Sequence, residues 1–151
     1  MFVLAKIQLL LTSVVLCSGI LLTHHTDCGS LGTIHSIQLE PCHNEPCHIT
    51  EHTTYTGTVN FTSGINSQTA TNKATAEIVG AWPAFTVGQP NACGHGITCP
   101  VVKGETYTYT VSVTSPEFKS HARSVAKWMV EGDNTDEFII CFAFPVILGT
   151  Q

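Results

Sequence analysis

The chain has 151 residues, 43% of them hydrophobic and 11% charged, with six Lys and Arg against eleven Asp and Glu and a formal charge of −5. That length suits one domain, and the apolar share excludes intrinsic disorder. Few and scattered basic residues exclude nucleic acid as a partner, and the many Thr, Gly and Pro exclude a coiled coil.

Residues 1–22 read as a secretory signal peptide. Lys6 precedes an uncharged apolar run that starts at Ile7. Cys17 and Gly19 are small residues at the −3 and −1 positions of a cut after Gly19, and later cuts up to the bond before Asp27 also fit, so the bracket is 19–26. Gln8, Thr12 and Ser13 dilute the run, and no second segment of spanning length follows, which argues against a membrane anchor. Residues 23–151 are then expected to form one domain, outside the cell or in the lysosome lumen. Removing the leader also removes Lys6 and Cys17 and makes the chain slightly more acidic, so electrostatic pull toward anionic membranes is weak.

Cys28, Cys42, Cys47, Cys93, Cys99 and Cys141 remain. An even number in a secreted chain indicates disulfides, and six cysteines allow fifteen pairings that sequence alone does not resolve. Two local pairs stand out. Cys42 with Cys47 and Cys93 with Cys99 each close a short turn containing Gly, Pro or Asn. Cys28 and Cys141 would then tie the two ends of the domain, a closure worth on the order of 4–5 kcal/mol in the chain-entropy model. A metal site from these cysteines with His43, His48 and His52 is rejected, because zinc knuckles need thiolates that an oxidising compartment removes.

Along the domain, apolar and polar residues alternate. Ile37 and Leu39 come first. Tyr55, Gly57, Val59 and Phe61 alternate with Thr54, Thr56, Thr58, Asn60 and Thr62. Ala74, Ala76 and Ile78 follow, then Tyr107, Tyr109, Val111 and Val113 between Thr106, Thr108, Thr110 and Ser112. Ala122, Ser124, Ala126, Trp128 and Val130 continue the period, and Phe138 to Leu148 is apolar on both faces. Period two with threonine on one face predicts half-buried antiparallel strands. Turn chemistry separates them at Ser63-Gly64, Val87 to Asn91, Lys103-Gly104, Ser115-Pro116 and Glu131 to Asn134. Six to eight strands and no convincing amphipathic helix predict an all-β sandwich of two antiparallel sheets. Asn60-Phe61-Thr62 is an N-glycosylation sequon, and with Val59 and Phe61 inward Asn60 points outward.

The strands carry many rings. Trp82, Phe85, Tyr107, Tyr109, Phe118, Trp128, Phe138, Phe142 and Phe144 lie on strands or at their ends. A well-filled core accounts for any one of them. Opposite small inward residues such as Gly57, Ala74, Ala76, Ala122, Ser124 and Ala126, the set points to an apolar cavity between the sheets. Its expected lining includes Val59, Phe61, Tyr109, Trp128, Phe142 and Phe144, with Trp82 and Phe85 from the greasy connection Ala81 to Asn91. Burying about ten methylenes at roughly 0.8 kcal/mol each gives about 8 kcal/mol, near micromolar affinity before ordering costs.

Several motifs resemble one family. Asp27-Cys28-Gly29-Ser30, Pro41-Cys42, Pro46-Cys47, Val59 to Ser63, Cys93-Gly94, Gly96 to Pro100, Tyr107-Thr108-Tyr109, Trp128 and Cys141 look like the Niemann–Pick type C2 proteins of the lipid-recognition (ML) domain family. The resemblance covers the chain from about Asp27 onward. It implies an immunoglobulin-like sandwich, the three disulfides above and a tunnel for sterols or fatty acids. It matches Phe85 to the family's aromatic loop residue at the pocket and sets Val113 and Phe118 on the opposite lip. The short, histidine-bearing Cys93–Cys99 loop is similar to that of arthropod members proposed as semiochemical carriers.

The expected function is a secreted, monomeric carrier of a small apolar ligand (a sterol, fatty acid or semiochemical), with a membrane-protein receptor or acceptor as a further partner. The alternative is a lipid-presenting recognition module of innate immunity. No cofactor and no metal are expected. Catalysis finds no motif: a nucleophile elbow, metal-binding helix, phosphate loop and dinucleotide fingerprint are all missing. Eight histidines could sense endosomal pH, although loop histidines without a role are the better reading.

Overall fold

The computed structural model describes residues 18–118 and 121–149, so most of the expected signal peptide lies outside the described residues. Ten strands are present among them. One sheet runs, side by side, β1 (Ile20–Leu21), β3 (Thr33–Glu40), β5 (Thr54–Thr62), β8 (Thr106–Thr114) and β7 (Thr86–Val87). The other runs β2 (Thr26–Asp27), β10 (Phe138–Leu148), β9 (Ala122–Glu131) and β6 (Thr71–Ala76), with β4 (Cys47–Ile49) added parallel to β10. Every other strand pair is antiparallel. The alternating segments form β3, β5, β6, β8 and β9. The four strands of two or three residues carry no such pattern.

Alternation works differently in the two sheets. On the outer face of β5 and β8, hydroxyls meet across the strands: Thr54 with Thr114, Thr56 with Ser112, Thr58 with Thr110 and Thr62 with Thr106. Asn60 belongs to the same row, its Nδ2 donating to Thr108 Oγ1 at 2.6 Å. Each pair adds a few tenths of a kcal/mol to about 1 kcal/mol. β10 is buried on both faces from Ile139 to Phe144, and the Cys28–Ser30 segment runs along its edge. The Ser30 hydroxyl donates to the Cys141 carbonyl and accepts from the Cys141 N–H. Disulfides join Cys28 to Cys141, Cys42 to Cys47 and Cys93 to Cys99.

The inner faces meet in one hydrophobic core. Trp128 crosses it. A Cβ placed on Gly57 would lie 2.4 Å from the far edge of the indole. Gly57 is therefore the socket that lets β5 approach β9, and the vacancy expected opposite it is filled by the ring. Gly57→Ala forces the indole or a strand to shift and should cost about 1–3 kcal/mol. Thermal unfolding would show this, and Gly57→Ala combined with Trp128→Phe should recover part of the loss.

Glu45, in the turn closed by Cys42–Cys47, clamps the entry segment. Its carboxylate accepts from the N–H groups of Thr23 and His24, from the Thr23 hydroxyl and from His24 Nδ1. Burial alone would raise this carboxyl. The Thr23 hydroxyl, the two N–H groups and the His24 ring outweigh burial and hold it at about 2, against an ordinary 4.5. A depressed folded-state value stabilises fully above the ordinary value and is lost as pH falls toward the folded one. Glu45→Gln should therefore lower the melting temperature near neutrality, and the gap should close between about pH 5 and pH 2 in parallel thermal melts.

Candidate functional site

A narrow apolar cavity lies between the sheets beside Trp128. Leu39, Tyr55 and Val113 wall it from the first sheet and Ile49 from β4. Ala74, Ala126, Trp128 and Phe144 wall it from the second sheet, and Phe85 closes it from the connection between β6 and β7. Small alanines facing rings create the space. Its volume is about 20 Å³, room for about one water molecule. Drug-sized ligands occupy roughly 300–1,000 Å³, so a guest of that size must push side chains apart.

Apart from the Trp128 Nε1–H, the inward-facing lining side chains carry one polar group, the Tyr55 hydroxyl. That group donates to the His48 carbonyl and accepts from the Thr50 N–H at 2.8 Å, so it makes no demand on the cavity. Thr75 and Lys127 also border the space, but strand alternation turns their side chains to the outer face.

Two buried rings form one end. Phe85 and Phe118 sit with centroids 6.3 Å apart. Phe85 is anchored by its N–H to the Ala74 carbonyl, and Phe118 by its N–H to Glu51 Oε1, both at 2.8 Å. Beyond Phe118 the inner face of the second sheet continues as an open groove of about 150 Å³, lined in part by Ile78, Ala122, Ser124 and Leu148. The ring pair thus stands between the cavity and the groove.

The expected lining residues divide. Phe85, Val113, Trp128 and Phe144 border the cavity, and Phe118 stands at its lip. Val59, Phe61, Tyr109 and Phe142 are fully buried in packed core outside its wall. There Phe61 packs on Tyr107 and Tyr109 at 5.6 and 5.9 Å, and Phe142 stacks on Trp128 at 6.0 Å. Ala122 is exposed and Ser124 half-buried, in the open groove and not in the cavity wall. Leu39, Ile49 and Tyr55 were not singled out. Alternation marks Leu39 and Tyr55 as core, Ile49 sits on a three-residue strand without that pattern, and nothing local marks any of them as wall.

Trp82 departs most from expectation. The connection folds back as a hairpin at Val79-Gly80, where both residues have positive φ and Ile78 and Ala81 exchange backbone bonds. This register pairs Ala84 with Thr75 on the outer face and turns Phe85 inward. Trp82 is 41% exposed, with the Lys127 ammonium 4.1 Å above its ring. It braces the connection from outside.

Polar chemistry inside is sparse. The Tyr109 hydroxyl and Trp128 Nε1 are buried without hydrogen-bond partners among the described residues. Burial pushes the Tyr109 hydroxyl far above its ordinary range, against a smaller pull from the neighbouring Trp128, so it stays protonated. The histidines are elsewhere: His43 and His48 line a surface groove, and the His48 ring lies 6.3 Å from that of His121. Among the described residues no group of three or more His, Cys, Asp or Glu side chains is placed to hold a metal ion. No described helix is long and apolar enough to cross a membrane.

Comparison with known proteins agrees with this geometry. Residues 23–148 match the ML domain family. NPC intracellular cholesterol transporter 2 of Canis lupus familiaris is 32% identical over 124 residues, covering 82% of this chain and 83% of that protein. Its Drosophila melanogaster homolog a is 27% identical over 126 residues, covering 80% and 83%. The crystal structure of a Niemann-Pick type C2 protein from the Japanese carpenter ant superposes with a TM-score of 0.67 at 23% identity, covering 82% of this chain and 97% of that one.

With Trp82 outside and Phe85 inside, the two rings should behave differently in one assay. Trp82→Ala should leave the affinity for a fluorescent fatty acid unchanged while lowering the melting temperature by a few degrees. Loss of binding with full stability would put Trp82 in the wall.

Proposed function

The chain belongs to the ML domain family, and from that premise we propose that it is a secreted carrier that takes a sterol, fatty acid or other small apolar molecule between its two sheets. The observation that carries this reading is the dry cavity ended by the Phe85–Phe118 ring pair and continued by an open groove. The names of the curated relatives describe cholesterol transport, not catalysis.

Uptake begins in the groove. An apolar tail displaces the two rings, which sit on segments outside the regular strands and so move at less cost than strand residues. The tail then widens the space beside Ala74 and Ala126, with Trp128 as its floor. Any polar head stays at the mouth, because the lining is almost wholly apolar. Release reverses the path and refills the space with the protein's own rings. Apolar burial drives binding, and the cost of opening sets its limit.

The remaining expectations complete the reading. A leader directs export, Asn60 carries a glycan on the outer face far from the mouth, and the carrier works as a monomer before an acceptor in a membrane. Titrating delipidated protein with fluorescent fatty acid and sterol probes tests the central point. Saturable uptake at about micromolar concentration, displaced by unlabelled ligand, is expected. Phe85→Asp should abolish uptake while circular dichroism stays unchanged. Uptake that survives the substitution would remove the mouth from this end of the sandwich.

A further inference from the structure

We infer that the leader is cut between Gly19 and Ile20, so that the mature protein begins on Ile20 and its first residues form a strand of the sandwich. This rests on the reading of the chain as a secreted protein. Sequence brackets the cut between residues 19 and 26, and the structure distinguishes the alternatives.

Residues 20–22 belong to the fold. Ile20 and Leu21 pair antiparallel with Leu39 and Gln38. The Leu22 N–H donates to the Ile37 carbonyl at 2.8 Å, and its side chain, 5% exposed, is part of the core. A cut after Leu22 deletes that side chain and bares the edge of β3. A cut further on also strips Glu45 of its donors, because Thr23 and His24 supply every hydrogen bond to its carboxylate described above. A carboxylate only 12% exposed does not tolerate that loss well. A cut after Gly19 costs only the bond from the Cys42 N–H to the Ser18 carbonyl.

The immediate surroundings fit the new terminus. A Cβ on Gly19 would lie 3.0 Å from Glu40 Cβ and 3.1 Å from Glu40 Oε2, so an acid stands beside the bond to be cut. On the nascent chain, before folding, a membrane-bound leader endopeptidase adds water across the Gly19–Ile20 peptide bond. The products are a carboxylate on Gly19 and an amine on Ile20. An α-amino group with a pKa of about 8 is largely protonated near neutral pH, and Glu40 then faces a cation in place of a neutral amide.

Full-length chain expressed in a eukaryotic secretory culture, purified from the medium and read by intact mass and N-terminal sequencing, tests the site. Ile20 as first residue is expected. Any other first residue in a processed chain overturns the site but leaves secretion standing. A chain that stays in the cells with Met1 in place sinks both. A second comparison places the same foreign leader ahead of Ile20 or ahead of Thr23. The shorter form should melt about 5–10 °C lower or fail to be secreted. Equal yield and equal melting temperature would overturn the structural role given to residues 20–22.

Discussion

The spacing of the two sheets depends on one contact across the core, the Trp128 indole against the bare backbone of Gly57. A ring seated on a glycine holds β9 and β5 at the distance its own length dictates. On one side of that strut Phe142, Phe61 and Tyr109 fill the interior completely. On the other side Ala74 and Ala126 are too short to meet Tyr55 and Val113, and a small void is left. One residue thus both fixes the gap and forms the floor of the space within it. Binding has to work against the packing that surrounds this strut, which makes the site a latent one.

Much of the architecture was legible in the sequence, for a clear physical reason. Strands with one wet face must alternate, so Tyr55 to Phe61 and Tyr107 to Val113 declare both their structure and their inward residues. The double-sided apolar run of β10 likewise signals a strand covered on both faces. The strands β1, β2, β4 and β7 were not legible, because two or three residues become a strand only when a partner edge lies beside them. The same holds for the cavity. Inward direction can be read from period two, but depth along the sandwich cannot, so Phe61, Tyr109 and Phe142 were grouped with Phe144 although only Phe144 reaches the void. Trp82 was misplaced because its side depends on the register of a hairpin, and that register is set by the two left-handed residues at its tip.

The connection that carries Phe85 is held by few bonds to the rest of the sandwich. Its return arm is held to β6 by single backbone contacts, to β8 through the short strand β7, and on the outer face by the Trp82–Lys127 stack. The opposing Phe118 hangs from the Glu51 side chain. These anchors are local, and none passes through the central strut. Opening the ring pair therefore need not disturb the packed half of the core, where the stability of the domain is concentrated.

The row of threonines on the back of β5 and β8 has a separate consequence. Its hydroxyls neither gain nor lose protons over the acidity range that biological compartments span, and they are paired mainly with one another. The hydroxyl pairs of that row therefore keep the same charge across that range, with His35 joined to the row's edge at Thr62. Colloidal behaviour that rested on carboxylates would shift with acidity, whereas a row of hydroxyls holds its charge constant.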